Sequence, residues 1–127
     1  MIVMLKFFFT TIFLTSVFNQ NYSIERVSLI NLIATPEKYD KKWINVKGYF
    51  LNEFENRALF IDRASADKNI SENGVTLIFD STINRNVLSN YQNQYVEIEG
   101  FFNKAKKNNK NIFTHYISKI YKIRIIE

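Results

Sequence analysis

Basic residues are concentrated near the end of the chain, where they could bind an anionic partner. Seven of the 17 Lys and Arg residues lie between positions 104 and 127, and Glu127 is the single acidic residue of that stretch. Four of the lysines fall within one polar segment, residues 103–111: Lys104, Lys106, Lys107 and Lys110. Clustered ammonium groups attract phosphate and carboxylate groups. The segment therefore predicts an anion-binding loop, and the alternative is a solvated basic loop that binds nothing.

Aromatic residues could add a flat contact surface beside this loop. Tyr49, Phe60 and Phe101 are predicted to point outward from strands. Basic loops next to exposed aromatic residues bind single-stranded nucleic acid through phosphate contacts and base stacking. Glu97 and Glu99 oppose that interpretation, because alternation places them on the same outward face, where they would repel phosphate. We therefore expect an anionic surface polymer or an acidic envelope protein as partner, with single-stranded nucleic acid as the alternative.

Enzymatic chemistry has little support in the residue types. The chain has one histidine, His115, no cysteine and three glycines. Thiol catalysis is therefore excluded, and a glycine-rich phosphate loop is absent. The acidic residues Glu53, Glu55, Asp62 and Asp67 are not spaced as a calcium loop. We expect a non-enzymatic protein without a metal or a cofactor.

A repeated segment predicts how these residues are positioned. Residues 42–50 (KWINVKGYF) return 52 positions later as residues 94–102 (QYVEIEGFF). After one polar residue, both copies read aromatic, branched, polar, branched, charged, glycine, aromatic, aromatic. Alternation of this kind predicts two equivalent half-buried strands. Trp43 and Tyr95 are the first aromatic residues of the two copies, and their simplest role is to pack against the segment that precedes each strand.

The remaining elements follow from periodicity and from turn residues. Helical spacing predicts one helix over residues 24–34, ended by Thr35-Pro36, and another that begins near Asp80-Ser81-Thr82 and extends through Tyr91. Strands are predicted over residues 42–51, 58–62, 75–79, 95–102 and 112–126, with a polar loop over 63–74 that has room for one helical turn. The residues expected to point inward are Ile44, Val46, Phe50, Leu59, Ile61, Val75, Leu77, Phe79, Val96, Ile98 and Phe102.

This order of elements predicts a mostly β fold. Helix, three strands, helix, two strands is the order of an OB-like Greek-key β-barrel with an added N-terminal helix. Glycine inside a strand often marks a barrel corner, so Gly48 and Gly100 should lie in adjacent strands. The alternative is an open antiparallel sheet with one packed helix.

The first 23 residues differ from the rest and predict export. One lysine, Lys6, precedes the apolar run of residues 7–18, and a polar stretch follows. This pattern is typical of a secretory signal peptide, which leaves one domain over residues 24–127. We expect a periplasmic or secreted protein. The alternative is an N-terminal membrane anchor, and membrane contact is expected only if residues 1–23 stay uncleaved.

Two segments of the chain resemble a known group of proteins: residues 27–40 (VSLINLIATPEKYD) and residues 43–50 (WINVKGYF). The chain resembles small exported bacterial proteins with an OB-like fold, whose pattern reads N-P-E-K-Y-D-G-K and then V-x-V-x-G. It is similar to anticodon-binding OB domains in topology only. Lys41 stands where glycine is usual, which makes a turn with positive φ less comfortable there. The resemblance implies a fold and an envelope location, and it implies no catalytic or binding residues.

Overall fold

The computed structural model describes residues 22–53, 56–106 and 114–127. Within these ranges the chain forms one six-stranded sheet and three short α-helices. In chain order the elements are β1 (Glu25–Arg26), α1 (Leu29–Ala34), β2 (Trp43–Glu53), β3 (Asn56–Phe60), α2 (Arg63–Asp67), β4 (Gly74–Leu77), α3 (Arg85–Ser89), β5 (Tyr95–Asn103) and β6 (Tyr116–Ile125). Single 3-10 turns lie at Pro36–Lys38 and Ser71–Asn73.

The strand pairings follow the order expected for the predicted OB-like topology. The sheet order is β1-β2-β3-β4-β6-β5, and β5 pairs in addition with β2. Successive pairings that start at β2 therefore return to β2. Two pairings are parallel, β1 with β2 and β4 with β6, and the others are antiparallel. The fold is mostly β, with few helices.

The two copies of the repeat pair with each other. They form β2 and β5, whose antiparallel register places Val46 opposite Ile98. These two residues hold equivalent positions in the repeat, so a local pseudo-two-fold axis passes between them. Gly48 consequently lies opposite Val96, and Gly100 lies opposite Ile44. The prediction that the two glycines occupy adjacent strands is confirmed.

Close packing explains the glycines, since neither has a positive φ. A Cβ atom on Gly48 would lie 2.6 Å from Cγ of Leu59, and one on Gly100 would lie 2.7 Å from Cγ2 of Ile117. The register of β5 with β6 shifts at Gly100, because Glu99 pairs with Lys122 whereas Phe101 pairs with Ser118. Residues 119–121 therefore form a bulge opposite this single glycine.

The core lies on the inner faces of the strands. Nine of the residues predicted to point inward are buried: Ile44, Val46, Phe50, Leu59, Val75, Leu77, Val96, Ile98 and Phe102. Ile61 and Phe79 are only partly buried and pack against this cluster. They lie just past the ends of β3 and β4, where the predicted strands continued too far.

Both predicted helices begin too early. Helix α1 starts at Leu29, because the Ser28 hydroxyl accepts a hydrogen bond from the Asn31 backbone N–H (3.1 Å) and caps it there. The preceding residues form β1, parallel to β2. Helix α3 starts after Asn84, whose side chain accepts from the Asn86 N–H. Asp80 instead closes a turn by accepting from the Thr82 N–H.

Two further predictions concern residues 63–74 and residues 1–23. The predicted polar loop over residues 63–74 contains helix α2, capped by Asp62 through the Ser65 N–H (2.7 Å). The predicted signal segment, residues 1–23, lies outside the described residues except for its last two. Across the described ranges, no helix is long and apolar enough to cross a membrane.

Replacing Gly100 by Ala should destabilise the protein. The new methyl group would lie 2.7 Å from Cγ2 of Ile117 and 2.9 Å from the Ser118 carbonyl oxygen. Such overpacking costs roughly 1–3 kcal/mol. Chemical denaturation measures the loss, with exposed Ser81→Ala as a control that should stay within about 0.5 kcal/mol of the parent. Equal stability of the two variants would contradict the packing account of Gly100.

Candidate functional site

Two of the predicted contact residues are covered. Tyr49 and Phe60 are only 4% and 2% exposed. Both belong to the outer side of the sheet, but they pack in a second cluster with Leu51, Ala58 and Ala66. Ala66 belongs to α2, which lies over β2 and β3. The expectation that Tyr49 and Phe60 form an open aromatic surface is therefore wrong, because a helix inside the predicted loop buries them.

The start of the basic segment is fixed to the body of the protein. The Lys104 N–H donates to Oδ1 of Asp40, and the Ala105 N–H donates to Nδ1 of His115, each over 2.8 Å. Lys107 and Lys110 lie outside the described residues. Lys104 and Lys106 line a cleft of about 330 Å³ whose other lining residues are Asp40, Lys41 and Ala105. We call it the lysine cleft.

Lys41 connects this cleft to a second one. Its Nζ donates to Oδ1 of Asn103 over 2.7 Å, and its backbone has φ 60°. Asn103 is held in turn, because its Nδ2 donates to the Ser118 hydroxyl. The turn at Lys41 thus adopts the positive φ that glycine would favour. A side-chain hydrogen bond fixes the lysine beside β5.

The second cleft has an aromatic wall. It has a volume of about 350 Å³ and is lined by Tyr22, Ser23, Glu25, Lys41, Lys42, Trp43 and Phe101. Trp43 is the centre of the ring contacts, with centroid distances of 6.1 Å to Tyr22, 5.2 Å to Phe101 and 5.9 Å to Tyr121. We call it the aromatic cleft. Phe101 is thus the one predicted aromatic contact that lies beside the lysines.

The β6 bulge supplies the remaining members of this surface. Lys119, at φ 50°, carries its Nζ to 5.0 Å from the centre of the Phe101 ring, within the range of a cation–π contact. Tyr121 remains 57% exposed. The bulge therefore places an ammonium group and a phenol on either side of the Trp43–Phe101 pair.

The carboxylates of the outer face already have partners. Glu97 pairs with Arg124, and the hydrogen bond from Arg124 lowers the pKa of Glu97. Glu99 accepts from Nδ2 of Asn45 (2.9 Å), which lowers the pKa of Glu99, and it lies 3.6 Å from Nζ of Lys122. Desolvation and the Glu99 hydrogen bond raise the pKa of Tyr121 to about 12. Both glutamates face outward as predicted, but their charges are largely compensated.

The sequence contained a signal for Trp43 but not for the bulge. Trp43 is the first of three aromatic residues in one copy, and Phe101 is the second of three in the other. Antiparallel pairing of the copies therefore brings them together. Lys119 and Tyr121 reach the same surface only because β6 bulges opposite Gly100. Across the described ranges, no group of three or more His, Asp or Glu residues could hold a metal ion.

His115 should make stability depend on pH. Burial and the nearby Lys104 lower the pKa of His115, whereas the pKa of histidine in an unfolded chain is about 6.5. As pH falls through that value the unfolded chain takes up more protons than the folded one, so the free energy of unfolding decreases. Denaturation at a series of pH values from about 7.5 down to about 5.5 should show this fall. The His115→Gln variant, which keeps an acceptor for the Ala105 N–H, should show a flatter profile, and an unchanged slope would contradict the assignment.

Comparisons with known proteins do not place the chain in a family. No family model matches it, and no curated protein matches it. Among solved structures it is similar to a "putative aspartyl-tRNA synthetase from Leishmania major Friedlin", with a TM-score of 0.48 and 9% sequence identity. The alignment covers 87% of this chain and 22% of that protein. The site is therefore interpreted from its own residues.

Proposed function

We propose that the protein is an exported, non-enzymatic binding module built on an OB-type barrel. It holds an anionic partner in the lysine cleft and the adjoining aromatic cleft. Export is supported by the signal-like order of charge, apolar run and polar exit in residues 1–23. The partner is an anionic surface polymer or an acidic envelope protein.

The backbone of two lysines carries this proposal. Four non-glycine residues in the described part of the chain have positive φ: Lys41, Asn69, Asn93 and Lys119. Asparagine tolerates this conformation, but for other residues it costs roughly 1–2 kcal/mol. Both lysines border the candidate site. Strain of this kind concentrates at functional positions, so the site retains lysine where glycine or asparagine would cost less.

The charge of the lysine cleft suits an anion. Three lysines, Lys41, Lys104 and Lys106, line this cleft together with the single acidic residue Asp40. That carboxylate already accepts the Lys104 N–H. The cleft is open to solvent, so the attraction is screened by salt, and binding should weaken as ionic strength rises.

Single-stranded nucleic acid is the second candidate. The observation that favours it is the exposure of Tyr22 (66%) and Tyr121 (57%) beside the lysines. Exposed rings next to ammonium groups can stack successive bases while the lysines contact phosphates. A binding test must therefore compare a nucleic acid with an anion that has no bases.

Removing two lysines of the cleft should weaken anion binding without unfolding the protein. We expect Lys104→Ser/Lys106→Ser to lower affinity for inorganic polyphosphate about tenfold, or about 1.4 kcal/mol. The protein, expressed with its own N-terminal segment, contains one tryptophan. Because Trp43 lines the aromatic cleft, its fluorescence can report binding during a titration.

The matched control removes the same charge elsewhere. Arg63→Ser/Lys68→Ser alters exposed residues of α2 and its C-cap, which line neither cleft. Its affinity should fall less than about twofold, since distant surface charges act only weakly across the screening length. An equal loss in both double variants would mean that overall charge, and not the lysine cleft, governs binding.

Lys41→Gly should separate function from stability. Glycine relieves the backbone strain at φ 60°, but it removes the hydrogen bond to Asn103 and increases the entropy of the unfolded chain. These effects oppose one another, so the free energy of unfolding should change by less than about 1 kcal/mol. Polyphosphate affinity should nevertheless fall, as measured by the same fluorescence titration. A stabilised variant with full affinity would remove Lys41 from the site.

A further inference from the structure

The start of the basic segment is held by two side-chain acceptors from other parts of the chain. The Asp40 carboxylate accepts the Lys104 N–H, and the His115 imidazole accepts the Ala105 N–H. The backbone fixed in this way carries Lys104 and Lys106 into the lining of the lysine cleft. The position of two cleft lysines therefore depends on the capacity of two side chains to accept a hydrogen bond.

The bond to Ala105 requires a neutral imidazole. A ring nitrogen accepts only when it carries no hydrogen, so Nε2 of His115 holds the single ring hydrogen while Nδ1 accepts. Protonation would place a hydrogen on both nitrogens, and no rotation of the ring would then offer an acceptor. Two donors would face each other where the bond now spans 2.8 Å. Charging of His115 is therefore incompatible with this contact.

The imidazole is held more firmly than the backbone that it binds. The carbonyl of His115 accepts the Thr76 N–H over 2.9 Å, which fixes this residue to β4. Its ring also contacts the ring of Phe102 in β5, with 5.8 Å between the centroids. Ala105 lies beyond the end of β5 at Asn103. When the contact breaks, the Ala105 backbone is thus the partner that moves.

The surroundings of His115 favour its neutral form on balance. Burial, the largest cause, and Lys104 lower the pKa of His115, and the carboxylates of Asp40 and Glu37 offset part of this effect. The chain contains one histidine and no cysteine, and histidine is the side chain whose charge ordinarily changes between about pH 5 and pH 8. A side-chain titration observed in this range is therefore assigned to His115.

We propose that His115 is a pH-sensitive latch on the lysine cleft: the neutral ring holds Lys104 and Lys106 in position for an anion, and protonation releases them. This inference rests on the proposed function, since the cleft must bind an anion. His115 is a positioning residue, because it does not line the cleft and acts through Ala105. The residues that form the latch all lie outside residues 1–23, so cleavage of that segment would leave the latch in place.

Protonation also has an opposite effect on the site, because it adds a positive charge nearby. A partly exposed, screened charge of this kind raises affinity for an anion by about threefold. Release of Lys104 and Lys106 should cost about as much as their replacement by serine, about tenfold. Release should therefore outweigh the added charge, with a net loss of about threefold.

Calorimetric titration of the whole chain with polyvinyl sulfonate tests the latch. The sulfonate groups keep their charge from about pH 7.5 to about pH 5, the range in which a histidine titrates. The affinity of the parent protein should fall about threefold across this range. A site without a latch would give the opposite sign, because the charge gained by His115 would strengthen anion binding.

Two substitutions of His115 separate its hydrogen bond from its bulk. His115→Gln keeps an acceptor that does not titrate, so it should retain the affinity of the parent at the upper pH and show a flat profile. His115→Phe keeps a ring beside Phe102 but has no acceptor, so its affinity should be low throughout. If His115→Phe does not fold, the profiles of the parent and of His115→Gln remain decisive.

Amide NMR follows the latch itself. The Ala105 signal should shift with the same midpoint as the His115 ring, and the protection of this amide from solvent exchange should be lost on the acid side. In His115→Gln the Ala105 amide should stay protected across the range. An Ala105 amide of the parent that does not respond to titration of the ring overturns the latch.

The outcomes separate the latch from the proposed function. Binding that weakens in acid in the parent and stays level in His115→Gln supports the latch. Binding that strengthens in acid, or that weakens equally in both proteins, overturns the latch and leaves the anion site standing. Absence of binding at every pH overturns the anion site, and with it the latch as a control of that site.

Discussion

The antiparallel pairing of the two repeat copies is the constraint on which the rest of the structure depends. With Val46 opposite Ile98 at the centre, the branched residues of both copies face inward, and each glycine lies opposite a branched residue. The outer face follows from the same register. Trp43 meets Phe101 at one end and Tyr49 meets Tyr95 at the other, with ring centroids 5.2 Å and 5.3 Å apart. Between them Lys47 lies opposite Glu97, which makes the two copies complementary in charge.

The two aromatic ends of this symmetric pair have different surroundings. At the Tyr49 end, helix α2 packs over the sheet and buries the ring with Ala66. At the Trp43 end, the bulge opposite Gly100 brings Lys119 and Tyr121 against the aromatic pair instead. A bulge changes the direction in which the side chains of a strand point. Because Gly100 has no methyl group, β6 can bulge opposite it. This bulge distinguishes the Trp43 end, which carries the candidate site, from the Tyr49 end, which α2 covers.

The sequence predicted much of this framework because its signals are local. Alternation in the repeat identified β2 and β5, and the glycines indicated that these strands are adjacent. The sequence did not indicate that Tyr49 and Phe60 are buried, because nothing in this polar loop with its single helical turn shows that the turn packs over them. The resemblance to small OB-like proteins also identified Lys41 as a departure from the glycine that is usual there. Only the hydrogen bond to Asn103, 62 positions away, shows how the lysine is held.

Electrostatics explains how the proposed anion site can lie beside the glutamates of the outer face. Glu97 and Glu99 lie within the sheet and already have partners. Their carboxylates form hydrogen bonds or ion pairs with Arg124, Asn45, Tyr121 and Lys122. A carboxylate with several donors stays ionised but exerts a weaker field on a ligand beyond them. The ammonium groups of Lys41 and Lys119 have weaker partners: an amide oxygen and an aromatic ring. Neither of these two partners is anionic, so these contacts leave the charges of the lysines in place. The same surface therefore combines carboxylates that have several donors within the sheet with lysines at its edge, where the proposed ligand would bind.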